Sequence, residues 1–375
     1  MPTDGALAGE AVELLQALIR NRCVNDGTPE SGNERRSSEL LATYLEGPGL
    51  DLQRFESAPG RESLVLRIEG SDPAAPTLCL MGHTDVVPVN EAGWREDPFG
   101  GEVIDGEVWG RGAVDMLNIT ATMAVAVKHL ARSGFRPRGT LVYFAVADEE
   151  NGGHLGAEFV VDRYWDAVAS DYVLTELGGW TTNPSSTPRR VVVNVAEKGL
   201  AWRAIRVKGT PGHGSMPYGS DNALVTAAEV VRRIHAYRTA PELDDLWSAL
   251  LDSLDLPADL KAALGDPARH DAALTHLPPP AARACHALTH LTLSPNVAHG
   301  GQKTNTIPDE VVLEVDVRTL PGTTPEDVDA HLQAALGDLA GRVEISPLQS
   351  QVATRSPTDN PLWEALSHQV GAAYP

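Results

Sequence analysis

Hydrophobic and polar positions follow two different periods along this chain, and the switches between them predict its elements. Apolar residues return every three or four positions over Ala8 to Arg20 (Ala11, Val12, Leu14, Leu15, Leu18, Ile19), the spacing of a helix that buries one face. Further helices are predicted over Glu34 to Glu46, Ile119 to Leu130, Leu155 to Val161, Ala223 to Ala236, Thr324 to Leu339 and Asn360 to Val370. Short runs rich in β-branched and apolar residues read as strands: Ser63 to Ile68, Thr77 to Met81, Gly139 to Ala147, Tyr172 to Leu174, Ala201 to Val207, Leu291 to Leu293 and Glu310 to Val317. In the first half, strands and helices alternate, which predicts an α/β fold with a mixed, largely parallel sheet flanked by helices.

The character changes near Gly199. A strand is followed by the Gly/Pro-rich loop GTPGHGSMPYGSDN and a long helix, then by short helices and loops over Pro241 to Arg283. A chain of 375 residues is too long for one hydrophobic core. The expectation is a first domain of residues 1–198 plus 345–375, interrupted by a smaller α+β domain of residues 199–344.

Composition narrows the partners. The formal net charge is -21, from 51 acidic against 30 basic residues, which argues against nucleic acid or an anionic membrane surface. Cys23, Cys79 and Cys285 are too scattered for a disulfide framework or a thiolate metal site. The first residues carry no basic and apolar leader, and no run approaches the length of a membrane span. The expected location is the cytoplasm.

The candidate chemistry lies where apolar runs stop. Leu78 to Met81 ends in Gly82 and is followed by His83 and Asp85; a later segment ends in Asp115; Leu141 to Ala147 runs into Asp148, Glu149 and Glu150; Tyr172 to Leu174 is followed by Glu176. In α/β folds the carboxyl ends of strands hold the chemistry. An isolated His-Thr-Asp is commonly a turn, and a Glu-Glu pair is commonly solvated surface. Four such clusters at the ends of four apolar segments are harder to assign to packing, because buried carboxylates need a cation or a hydrogen-bond partner. His with Asp and Glu is a zinc donor set. His83 and Asp85, two apart on a strand end, share a face and could approach one ion or a close pair. Asp115 could bridge two ions, and of Glu149 and Glu150 one could ligate while the other deprotonates water. The reading is a metal-dependent hydrolase.

Taken together, GHTDVVPV, Trp94 with Asp97-Pro98-Phe99, GRGAVDM, ADEENGG and KGTPGHGSMP resemble the M20 family of metallopeptidases and aminoacylases, over about Ala11 to Pro375. That family includes glutamate carboxypeptidase, aminoacylase-1, acetylornithine deacetylase and succinyl-diaminopimelate desuccinylase. The resemblance implies two zinc ions per chain, with cobalt or manganese as substitutes. It implies His83 and Glu176 on one ion, Asp115 between the two, Glu150 on the other, and Asp85 orienting His83 from behind. It makes Glu149 the general base and His213 an oxyanion-stabilising residue reaching a neighbouring active site. Asn305 and Arg318 resemble the substrate-contacting pair, with Arg318 suited to a free carboxylate. The inserted domain becomes a lid and dimerisation domain.

The implied reaction is hydrolysis of an amide bond in an N-acyl amino acid, dipeptide or short peptide. The alternatives are deacylation of a specialised N-acetyl or N-succinyl amino acid, or a catalytically weak metal- and ligand-binding protein. Two departures stand out. Leu117-Asn118 follows Asp115-Met116 where many members have Lys-Gly or Lys-Asn. The family's final histidine ligand has no counterpart before Pro375, and His368 does not match its motif. The expectation drawn from this is a fragment of a longer product, or a degenerate homologue.

Overall fold

A computed structural model describes residues 4–47, 50–181 and 190–374. The chain divides into two compact units, residues 1–177 and 178–375.

The first unit contains, in order, α1 (Asp4–Arg20), α2 (Arg35–Leu45), β1 (Asp51–Ala58), β2 (Arg61–Ile68), β3 (Leu78–His83), the short strands β4 (Val103–Ile104) and β5 (Glu107–Val108), α3 (Leu117–Arg132), β6 (Leu141–Val146), α4 (Ala157–Val168) and β7 (Tyr172–Leu174). Its sheet has the order β1-β2-β6-β3-β7. Strands β6, β3 and β7 are parallel, whereas β1 and β2 add an antiparallel hairpin. The mixed sheet is therefore parallel in one half only.

Strand β6 is buried along its whole length, which is why it reads as a continuous apolar run rather than an alternating one. Leu141, Tyr143 and Ala145 pack with Leu18, Leu41, Ala121 and Val125 of α1, α2 and α3. Val142, Phe144 and Val146 point the other way, with Val160 and Val168 of α4. Each such buried side chain contributes roughly 1.5–3 kcal/mol. Strand β1 escapes the sequence pattern because none of its residues is buried; it is the charged edge of the sheet. The three parallel strands end on one side, and the chain leaves them through His83, through Asp148 to Glu150, and through Glu176.

The second unit contains β8 (Gly178–Thr181), β9 (Val191–Val193), β10 (Ala196–Glu197), β11 (Gly199–Lys208), β12 (Gly212–His213), α5 (Ala223–Ala236), α6 (Asp245–Ser253), α7 (Ala258–Leu264), α8 (His270–Leu274), α9 (Pro279–Thr289), β13 (Thr292–Gly300), β14 (Thr306–Ile307), β15 (Glu310–Thr319), α10 (Pro325–Leu336), β16 (Val343–Gln351), β17 (Thr354–Arg355) and α11 (Pro361–Ala373). Strands β13-β15-β11-β16 form an antiparallel sheet. Helices α5 and α10 cover one face through Ala227, Val230, Ile234, Val328 and Leu332. Helices α6 to α9 form a separate group around Trp247, Leu251, Leu264 and Cys285.

The boundary expected at residue 345 is not where the structure divides. Residues 345–351 belong to β16, which pairs along β11 from Val207 opposite Val343 to Leu200 opposite Gln351. Its backbone hydrogen bonds tie it to the second sheet, and Ile345 packs against that sheet's core. Residues 178–198 also fall in the second unit. Among the described residues, no helix is long and apolar enough to cross a membrane.

Candidate metal centre

His83 ends β3 and is almost fully buried. Gly82 before it lets α3 approach: a Cβ there would lie 2.5 Å from Thr120 Oγ1. The Thr120 hydroxyl donates to the His83 carbonyl at 2.8 Å, which fixes the strand end against the helix. The imidazole Nδ1 lies 2.9 Å from the Asp85 carbonyl oxygen. Because a carbonyl only accepts, Nδ1 carries a proton and Nε2 faces the ligand side.

Around Nε2 stand three carboxylates. Asp115 Oδ1 lies at 3.1 Å, Glu176 Oε2 at 3.3 Å and Glu149 Oε2 at 3.8 Å. Ligand atoms of His83, Asp115 and Glu176 all fall within 4.8 Å of one another. A tetrahedral ion with bonds of about 2.0–2.1 Å sets its ligand atoms about 3.3 Å apart. The imidazole therefore stands at such an edge length from both carboxylates, and the donor set fits a divalent ion.

The charges tell the same story. Burial alone would lower the pKa of His83, but hydrogen bonds to Asp115 and Glu176, with the Asp85 and Glu149 charges, push it up to about 11. The proton occupies the place where a cation would bind. The same contact to His83 is the main cause that holds Asp115 below its ordinary value. Burial, assisted by the neighbouring carboxylates and opposed by His83, pushes Glu149 up to about 7 and Glu150 up to about 6.

Asp85 sits differently from the geometry its spacing allows. Its side chain is fully buried and is turned away from the ligand side. Oδ1 accepts from the Glu149 N–H at 3.2 Å and Oδ2 from the Glu150 N–H at 3.1 Å. The Asp85 carboxylate thus holds the turn that presents both glutamates, while its main chain orients His83. No hydrogen bond joins the Asp85 carboxylate to the imidazole, whose Nδ1 is 3.7 Å from Oδ1.

Behind this turn lies a buried polar network that the sequence pattern did not reveal. Asn25 donates to Asp85 at 2.8 Å and to Asp148 at 3.1 Å. Arg61 makes two hydrogen bonds to Glu34, at 2.8 and 2.7 Å, and one to Asp148, at 2.8 Å. Asp148 has φ of 63° and accepts from the Leu155 N–H at 2.8 Å. Arg61, Glu34 and Asp148 are each at most 1% exposed. One available signal was the run Arg61-Glu62-Ser63, three polar residues leading straight into an apolar strand.

The remaining candidates lie in the second unit. His213 is exposed on β12, which pairs with β14 (His213 opposite Thr306), and its Nδ1 is 2.8 Å from Ser215 Oγ. The Asn305 carbonyl accepts from the Gly214 N–H at 2.8 Å, so the ribbon brings His213 and Asn305 together. Arg318 lies toward the far end of β15, a strand of ten residues spanning roughly 30 Å. Its Nε donates to Asp316 at 2.9 Å. His368 is exposed on α11.

An imidazole ringed by carboxylates at the carboxyl ends of parallel strands places the chain in the class of metal-dependent hydrolases. Residues 79–374 match the sequence profile described as Peptidase family M20/M25/M40. The chain belongs to that family. It is 28% identical to a succinyl-diaminopimelate desuccinylase of Rhodospirillum centenum over 98% of this chain and 81% of that protein. It is 34% identical to aminoacylase-1 of Sus scrofa over 61% of this chain, spanning about half, 54%, of that protein. Among solved structures, it resembles the M20 family metallo-carboxypeptidase Sso-CP2 of Sulfolobus solfataricus, with a TM-score of 0.71 at 19% identity over 98% of this chain and 83% of that one. The dipeptidase Dug1p of Saccharomyces cerevisiae gives 0.67 at 18% identity, over 99% and 83%. At these identities the structural matches speak for the fold.

Proposed function

We propose that the protein hydrolyses the amide bond of an N-acyl amino acid, a dipeptide or a short peptide, using zinc held by His83, Asp115, Glu150 and Glu176. The observation that carries this reading is the position of Glu149, which stands 3.8 Å from the His83 nitrogen with its pKa pushed up to about 7. A carboxylate of that pKa takes up and returns a proton near neutral pH. Zinc bound at this site would supply positive charge that acidifies a water and polarises the scissile carbonyl.

The chain's own residues supply the rest. Glu149 accepts the proton of the attacking water and passes it to the departing amide nitrogen, so water adds to the carbonyl carbon as the carbon–nitrogen bond breaks. The Asp85 carboxylate keeps Glu149 in place through the main chain. Asn305 and Arg318 are assigned to the substrate, and His213 to the oxyanion of a neighbouring subunit's site. Their exposure and donor chemistry support this. A dimer formed through the second unit follows from that role, and sedimentation as a monomer at working concentration would remove it. The length of the match to a desuccinylase favours, as a second reading, a substrate whose acyl group or amino acid carries an extra carboxylate.

The test combines metal analysis with a panel of N-acetyl and N-succinyl amino acids and dipeptides. Turnover of at least one class is expected in zinc-loaded protein. Glu149→Gln should lower kcat by about 10²- to 10⁴-fold with metal content unchanged. Activity retained in that variant would overturn the assignment of the base.

A further inference from the structure

A second group of metal-binding side chains lies in the helices of the second unit, far along the chain from the centre at β3. His270 opens α8 and His290 follows α9; both are almost fully buried. Asp271, beside His270, is exposed. One ligand atom from each of His270, Asp271 and His290 falls within 4.8 Å of the others.

The hydrogen bonds decide which ring nitrogens carry protons. His270 Nδ1 is 2.7 Å from the Leu264 carbonyl oxygen, and His290 Nδ1 is 3.1 Å from the His286 carbonyl oxygen and 2.9 Å from the Thr289 hydroxyl, which itself donates to the Cys285 carbonyl. A carbonyl cannot donate, so each Nδ1 carries the proton and each neutral ring leaves Nε2 as an acceptor. The His290 Nε2 is buried and makes no hydrogen bond, although Asp271 Oδ1 stands 3.1 Å away, outside hydrogen-bonding alignment. The His270 Nε2 faces the Thr289 hydroxyl at 3.0 Å, and that hydroxyl, with a single proton to give, also reaches the Cys285 carbonyl at 2.8 Å and the His286 carbonyl at 3.4 Å.

Two imidazole lone pairs and a carboxylate oxygen therefore converge with no donor committed to all three. An arrangement of acceptors alone calls for a cation. The 3.1 Å separation of His290 and Asp271 is close to the edge, about 3.3 Å, of a tetrahedral site with bonds of about 2.0–2.1 Å. His286 stacks on His290 with ring centroids 4.0 Å apart and fixes its plane. The Leu264 and His286 carbonyls hold the tautomers, as the outer partners of metal-ligating histidines do. Exposure of Asp271 leaves a path for the ion and an open coordination position.

We propose that His270, Asp271 and His290 bind one divalent transition-metal ion of the zinc–cobalt class, separately from the centre at β3. Two imidazoles with one carboxylate suit those ions better than calcium or magnesium. The ion clasps the start of α8 to the end of α9, across a helical group with a small apolar core. Its role there is structural: an ion bound only by the folded state stabilises that state.

The test uses the full chain, stripped with chelator, reloaded with zinc or cobalt, freed of excess ion and analysed for metal. Asp271→Asn changes an exposed side chain and should hold one equivalent less than the native protein, with the same circular dichroism and unchanged hydrolysis. A His83→Ala, Asp115→Ala background removes the first centre. In that background one equivalent should remain, zinc should raise Tm, and both effects should vanish on adding Asp271→Asn. His290→Ala serves as the second probe. Equal metal content in native protein and in folded Asp271→Asn and His290→Ala variants would overturn the proposal and leave His290 and Asp271 as an ion pair. Because the background lacks the first centre, this outcome is independent of the proposed hydrolytic function.

Discussion

Replacing Arg61 with Met is the most direct probe of how the glutamate turn is held. The side chain lies in the interior and makes three charge-assisted hydrogen bonds to Glu34 and Asp148, both of which are buried. Met fills much of the volume but leaves two carboxylates without their cation. Removing one partner of a buried ion pair costs about 3–5 kcal/mol. For a unit of this size each kcal/mol lowers Tm by about 2–4 °C, so a fall of roughly 10 °C is expected. The deficit should depend on pH. Glu34 already has a raised pKa, caused chiefly by burial and opposed by Arg61. Without Arg61 the burial acts unopposed and the pKa rises further. The folded variant then keeps a proton that the unfolded chain loses at the ordinary value of about 4.3, so stability falls as pH rises through that window. Thermal and urea unfolding at about pH 5 and about pH 8 should show the larger deficit at the higher pH. Turnover should also drop below the melting range, because Asp148 shapes the turn that carries Glu149. A loss below about 1 kcal/mol, or one that does not change with pH, would refute the argument that Arg61 neutralises this pair.

Two further outcomes follow from the same site. Zinc binding at neutral pH should release a proton from His83, whose pKa the carboxylates push up to about 11; calorimetry in buffers of different ionisation enthalpy should show it, and identical heats in all buffers would contradict it. Gly82→Ala should displace Thr120, since the added Cβ would stand 2.5 Å from its hydroxyl, at a cost of roughly 1–3 kcal/mol. Metal affinity should weaken as well, because Thr120 holds the His83 carbonyl; native stability and affinity in this variant would count against that coupling.

Much of the first unit was legible because a sheet buried on both faces writes itself as apolar runs, and those runs stop where chemistry begins. That is why His83, Glu149 and Glu176 could be picked out; Asp115 comes instead from the turn before α3, and the structure brings it to His83. Arg61, Glu34, Asn25 and Asp148 were not legible. A buried charge has no period, and what keeps it buried is a partner distant in sequence, 87 residues away for Arg61 and Asp148. The same limit hid the His270, Asp271 and His290 cluster, whose members are joined by the fold of two short helices. Strand β16 was hidden for a different reason. It is an edge strand with no fully buried residue, and its register shifts opposite Trp202 and Arg203.

The electrostatics of the centre link these layers. Asp115, Glu149 and Glu176 crowd one imidazole, while Arg61 behind them is committed to Glu34 and Asp148. Burial, with the neighbouring carboxylates adding to it, raises Glu149 to about 7 and Glu150 to about 6. The proton on His83 relieves part of that repulsion. A divalent cation would relieve more of it, and His83, Asp115 and Glu176 already stand close enough together to take one. Clustering that is unfavourable among carboxylates alone thus becomes affinity for cations. The raised pKa of Glu149 is what its proposed role as general base requires. Asp85 serves both ends of this arrangement, since one residue's carbonyl orients His83 while its carboxylate fixes the amides of Glu149 and Glu150.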